Sequence, residues 1–178
     1  MIPARGAGYA LFGLAGLLLA VAVASGWHGV ARLVGREVET TAVQTVAVSF
    51  VAAAGTYDFA DAGSYAHRLE PFAVGELRDV LAPAVLAPAV LDPTVRTQRR
   101  SVATEVESAS VTSLSDEAAV AIVTAVQSRR WFDAASGRET EQHVRQRTSC
   151  RLVHEDGRWL VAEIRLLSEE PARLDQAR

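Results

Sequence analysis

Lysine is missing altogether, cysteine and methionine occur once each, and aromatic residues make up only 6% of the 178 residues. All 18 basic side chains are therefore arginine. With Cys150 as the lone thiol, no intramolecular disulfide can form and no thiolate metal cluster can be built. The four histidines, His28, His67, His143 and His154, are far apart and follow no ligand spacing. No metal is expected from them, and the absence of a glycine-rich phosphate loop points to no other cofactor. The formal net charge of -3 argues against a domain built to grip nucleic acid, because phosphate neutralisation needs a basic surface.

What is abundant is apolar: hydrophobic residues make up 49% of the chain, mostly alanine, valine and leucine. They concentrate first in YALFGLAGLLLAVAVASGW, Tyr9 to Trp27, which carries no charge. At about 1.5 Å per residue, a helix of that length covers most of a hydrocarbon layer about 30 Å thick. Tyr9 and Trp27 stand at its ends, where amphipathic rings favour the headgroup level. The expected organisation is a short tail over residues 1–8, a transmembrane helix over 9–27 and a connector over 28–38. A cleaved signal peptide competes with this reading, since Ala22-Val23-Ala24 resembles a cleavage site. The lone Arg5 before the apolar run and a second helix close behind it weigh against cleavage. Arg5 on one side and Arg32 and Arg36 on the other give little charge bias for orientation. The N-terminal tail is too short to be a domain, so the expected arrangement is N-inside.

A water-soluble domain follows over residues 39–167. Val43, Val46, Ala47, Phe50, Val51 and Ala54 recur at helical spacing, with Gly55 as the stop. A second helix is predicted from Asp61, as its cap, toward Leu69, where Pro71 ends it. A third is predicted from Val74 to Leu81. The following Leu81-Ala-Pro-Ala-Val and Leu86-Ala-Pro-Ala-Val read as a loop broken by Pro83, Pro88 and Pro93. From Gln98 the period changes to two. The first strand has Val102, Thr104, Val106, Ser108 and Ser110 on one face. Ala118 to Phe132 and Glu139 to His154 are long strands joined by a turn at 133–137. The Asp156-Gly157 hairpin leads to a last strand, with Leu160, Ala162, Ile164 and Leu166 facing inward. Residues 168–178 read as a charged tail. Helices first and a four-stranded antiparallel meander after them define an α+β class, three helices on a curved sheet.

That order, ending in Asp156-Gly157-Arg158-Trp159-Leu160-Val161, resembles the nuclear transport factor two-like fold, a cone-shaped domain. The apolar anchor ahead of it is similar to that of TcpC and the type IV secretion scaffold proteins of conjugation machines. It also resembles the membrane proteins associated with Mce lipid-uptake systems. The Tyr57-Asp58-Phe59 turn looks closer to the conjugation group. The resemblance implies a non-catalytic, single-pass subunit of the bacterial inner (cytoplasmic) membrane with its domain extracytoplasmic. The partners it implies are other envelope or secretion subunits, lipid through the anchor, and further copies of the chain in a homo-oligomer.

Enzymes also use this fold, so the titratable residues need weighing individually. Tyr57, Asp58, Asp61, Tyr65, His67 and His143 are the candidates for acid–base work. Alternation puts His143 on a charged strand face, Asp61 reads as a cap, and the tyrosines read as packing residues with hydrogen-bonded hydroxyls. No catalytic residue is therefore expected. A small ligand held in the cone, with isomerase-like or dehydratase-like chemistry, is the remaining alternative. An interface is expected at Arg129, Arg130, Trp131, Phe132, Arg145 and Arg147. The arginines there, with Arg151, either pair with Glu139 and Glu141 across strands or form a basic stripe for a partner. Trp131 and Phe132 are contact residues if exposed and core if buried.

Overall fold

The computed structural model of the chain describes residues 35–61, 64–86 and 97–172. The expected anchor over 9–27, with Tyr9 and Trp27, lies outside the described residues, as do Pro88 and Pro93. The chain divides into two compact units, Met1–Glu39 and Thr40–Arg178, and the core described here lies within the second.

Helix α1 runs Gly35–Gly55 and is, among the described residues, the one helix long and apolar enough to cross a membrane. Its packing gives it another role. Val43, Ala47 and Phe50 recur at steps of four and three and are buried against Val123, Cys150 and Leu152 of the sheet. An apolar stripe spaced this way faces a core. Burying each large side chain contributes about 1.5–3 kcal/mol. The helix stops where glycine is sterically required: a Cβ on Gly55 would collide with Thr104 Oγ1 and stand 2.8 Å from Gln127 Nε2.

After α1 comes β1, Tyr57–Asp58, only two residues long, and then a 3-10 turn, Phe59–Asp61. Asp58 Oδ1 accepts from the Ala60 amide at 2.7 Å, and this bends the chain. Asp61 therefore closes a turn instead of capping a helix, because Asp58 has already reversed the backbone. The second helix, α2, is Tyr65–Leu69 with Ser64 at its N-cap. A 3-10 turn through Pro71, Glu70–Phe72, leads to α3, Gly75–Leu86. The stretch from Leu81 to Leu86, expected as loop, is thus the last part of a helix. Pro83 removes one backbone donor, and Ala82, Ala84 and Leu86 around it are strong helix formers.

The expected four-stranded meander is a five-stranded antiparallel sheet in the order β1-β2-β3-β4-β5. The long strands are β2, Ser101–Leu114; β3, Ala118–Asp133; β4, Arg138–Glu155; and β5, Arg158–Pro171. The added strand is β1, which pairs Tyr57 with Val102 and was too short to show a period. Asp156 and Gly157 take φ of 50° and 74°, the left-handed pair that a two-residue hairpin needs.

Four register shifts curl the sheet and reset which residues face the helices. On β2, shifts at Val106/Ser108 and Val111/Ser113 bring Ala109, Val111 and Leu114 against the core. Ser108 and Ser110, expected inside, are exposed. On β5, a shift opposite Arg151/Leu152 puts Trp159 and Val161 into the core cluster. Ile164 and Leu166, expected to be buried, are 42% and 57% exposed, and β5 continues through Ser168 to Pro171.

Candidate functional site

Strand alternation divides the sheet into a face toward the helices and an outer face, and the expected interface residues fall on both. On β3 the buried Ala119, Ala121, Val123 and Ala125 share their face with Gln127, Arg129 and Trp131. Arg130 and Phe132 lie on the other face, which β4 continues with Glu141, His143, Arg145, Arg147 and Arg151. Arg129-Arg130 and Trp131-Phe132 are therefore split pairs.

Beyond the end of α1 the inner face is a hollow of about 400 Å³, lined by Ala54, Gly55, Tyr57, Val102, Gln127, Arg129, Trp131 and Gln142 among others. Its wall is held by a polar strap across three strands. Arg129 donates to both carboxylate oxygens of Glu169, at 2.9 and 2.7 Å, and to Gln127 Oε1. Gln146 Nε2 donates to the same Glu169 at 2.6 Å. Arg129, with Gln146 beside it, holds the Glu169 carboxyl below its ordinary range. Thr104 Oγ1, next to Gly55, is buried without a hydrogen-bond partner among the described residues. Neither an acidic residue nor a histidine is among the hollow's lining residues.

The outer face is charged and largely self-paired. Arg145 grips Glu107 through two bonds of 2.9 Å, reaching over β3 from β4 to β2, and its guanidinium pKa is raised by that hydrogen-bonded pairing. Arg130 pairs with Glu141 at 3.1 Å. Glu163 sits between Arg165 and Arg151, and both hold its carboxyl below the usual range. Arg147 is exposed and has no ion pair among the described residues. The expected cross-strand pairing thus holds for Arg130, whereas Arg145 finds its acid on β2.

Of the acid–base candidates, Tyr57, Asp58 and Tyr65 gather at the turn after α1, and His67 and His143 lie apart from them. Tyr65 donates its hydroxyl to the Ala54 carbonyl at 2.6 Å, and burial raises its pKa. Tyr57 packs edge-on against it with ring centres 6.1 Å apart. Arg68 lies over the Tyr65 ring and donates to the Thr56 carbonyl at 3.0 Å, so this cluster pins the turn after α1. His67 is exposed, 3.8 Å from Glu70. His143 Nδ1 is 2.9 Å from Ser128 Oγ on the outer face. Asp58 is occupied by its turn. Cys150 is buried, and desolvation pushes its thiol up to about 11, which makes it unreactive at neutral pH. Sequence reasoning missed Gln127, Gln142, Gln146 and Glu169. Glu169 looked like part of a charged tail, and the neutral amides carry no signal of their own.

No family model matches the sequence, and no curated protein does. Solved structures do match. The VirB8 protein of Agrobacterium tumefaciens superposes with a TM-score of 0.51 at 11% identity, over 75% of this chain and 94% of that one. An IcmL-like type IV secretion system protein from Legionella pneumophila gives 0.50 at 12% identity, over 73% and 91%. An Ntf2-like protein involved in plasmid conjugation gives 0.49 at 12% identity; this chain spans 75% of itself and 50% of that protein. The chain therefore shares the fold of the VirB8 protein and of the IcmL-like protein.

Proposed function

We propose that this chain is a non-catalytic assembly subunit of a bacterial envelope complex of the type IV secretion or conjugation kind. It would be anchored in the inner membrane by residues 9–27 with its domain extracytoplasmic. The observation that carries the reading is the state of the cone. Under the helices it is filled by Phe50, Val123, Cys150, Leu152, Trp159 and Val161. Where it opens, its lining offers arginine, glutamine and tryptophan and no acid–base pair. General acid–base catalysis needs a titratable group and a partner within reach of substrate, and the hollow's lining offers the Tyr57 phenol with no carboxylate or histidine beside it. What remains available is surface: the outer arginine face with Arg130, Arg145 and Arg147, and the rim with Arg129, Trp131 and Phe132. The fold shared with VirB8 and the IcmL-like protein supports the same reading, as does the uncharged run from Tyr9 to Trp27.

The test is a pull-down of the full chain from chemically crosslinked membranes. Other envelope proteins should be recovered, and Arg147→Glu should lower their yield. Recovery of no envelope protein overturns the assembly role. A mature chain found free in solution and lacking its first two dozen residues overturns the anchor.

A further inference from the structure

The hollow beyond α1 lacks the pair of groups that catalysis needs, but its lining is suited to binding. One row of the inner face crosses it over four strands, since Tyr57 pairs with Val102, Val102 with Arg129 and Arg129 with Gln142. Trp131, two residues past Arg129, and Arg100, just ahead of β2, line it too. Three arginines border the hollow, and two of them are already neutralised, Arg129 by Glu169 and Arg130 by Glu141. Arg100 is different. Its Nε donates to the neutral Gln98 Oε1 at 2.6 Å, and no carboxylate pairs with it among the described residues. Among those residues the Gln142 side-chain amide, the Trp131 indole N–H and the Tyr57 hydroxyl also make no hydrogen bond.

We infer that this hollow binds a small organic monocarboxylate, with its apolar body against Trp131, Val102 and Ala54 and its carboxylate on the Arg100 guanidinium. Size, charge and donor chemistry select that class. A volume of about 400 Å³ falls near the lower end of small-ligand pockets, too small for a folded partner. With two of the three arginines offset by glutamates, one positive charge is left over. A monoanion balances that charge, whereas a phosphate dianion would leave a buried negative charge unpaired. The planar guanidinium fork matches the two oxygens of a carboxylate, and the Gln142 amide and Trp131 N–H stand ready as further donors. A cation would find no carboxylate in the lining. The ligand is held and not transformed, because no acid–base partner stands beside it. This site goes beyond the assembly role and does not rest on it.

The test is a titration of phenylacetate into the full chain in lipid nanodiscs, followed by the NMR signals of the Trp131 indole and the Gln142 side-chain amide. Both signals should shift saturably in the millimolar range or below. Phenylacetamide, the same body without the charge, should bind at least about fivefold more weakly, as expected for the loss of one charge-assisted contact. Arg100→Gln should weaken phenylacetate by about the same factor. Arg158→Gln, at the β4–β5 hairpin, should leave it unchanged. Inorganic phosphate should bind more weakly than phenylacetate. No saturable shift at Trp131, equal binding of the amide or of phosphate, or full binding by Arg100→Gln overturns the proposal. The outcome is separate from the pull-down, which can succeed whether or not the hollow holds an acid.

Discussion

The two halves of the same sheet face do opposite things with one backbone ladder. In the half under α1, Ala119, Ala121, Val123, Cys150 and Leu152 are buried to 1% exposure or less, and Phe50 fits among them. In the half that projects beyond α1, the same face continues with Gln127, Arg129, Trp131, Gln142, Gln146 and Glu169. There the Arg129–Glu169 strap takes the place of the helix. The first half draws on hydrophobic burial, which is large and indifferent to salt and pH. The second draws on half-exposed ion pairs, which are small and sensitive to both. The core cluster holds the fold at one end, and the inner face of the other end is largely polar, with Val144 its one fully buried side chain on β4.

Mutations should separate the two regimes. Phe50→Ala, which removes the largest fully buried side chain, should destabilise the domain by about 3–4 kcal/mol in denaturant unfolding. Gly55→Ala, forcing a methyl group into Thr104 and Gln127, should cost about 1–3 kcal/mol in the same measurement. Arg129→Ala in the projecting half should cost only about 0.5–1 kcal/mol, discounted for solvent exposure, and the cost should shrink in high salt. An Arg129→Ala penalty as large as that of Phe50→Ala would break the comparison.

Acid should act on the straps first. The carboxyls of Glu169, Glu163 and Asp133 are all held below their ordinary values, Glu169 and Glu163 by arginine and Asp133 by Ser136 and the Ala135 amide. Groups with depressed folded-state pKa values contribute stability that is fully present above the ordinary carboxylate range. It is lost as pH falls through the folded values. Thermal unfolding should therefore be flat from neutral pH to about 5 and decline below that. The Arg129→Ala variant should decline less steeply, since one of these contributions is already gone.

The half under α1 was legible in the sequence, and the other half was not. Val43, Ala47 and Phe50 announce a helix face, and the alternation through Ala118–Phe132 announces β3, because burial imposes a period. The Asp156-Gly157 hairpin is equally plain, since its backbone angles demand those residues. Period counting failed at the bulges: each inserts a residue, so Ser110 turns outward and Trp159 and Val161 take the core side of β5, while Ile164 and Leu166 keep the inner side opposite Cys150 and Thr148 and are nonetheless exposed. It failed again at Pro83, where local helix formers outweigh one lost bond. The residues expected at an interface, basic ones of two paired strands with Trp131 and Phe132 near the hairpin tip, divide between the two sheet faces, because a strand sends adjacent side chains to opposite sides. The strap from Arg129 to Glu169 spans 40 residues of sequence and has no local mark.

Amide hydrogen exchange on the full chain measures the division between the halves directly. Amides of Ala119–Ala125 and of Cys150–Leu152 should exchange only through global unfolding. Those of Arg129–Phe132 and Glu139–Gln142 should exchange through local opening, at least tenfold faster and with a weaker response to denaturant. Equal protection along β3 from Ala119 to Phe132 would contradict the account.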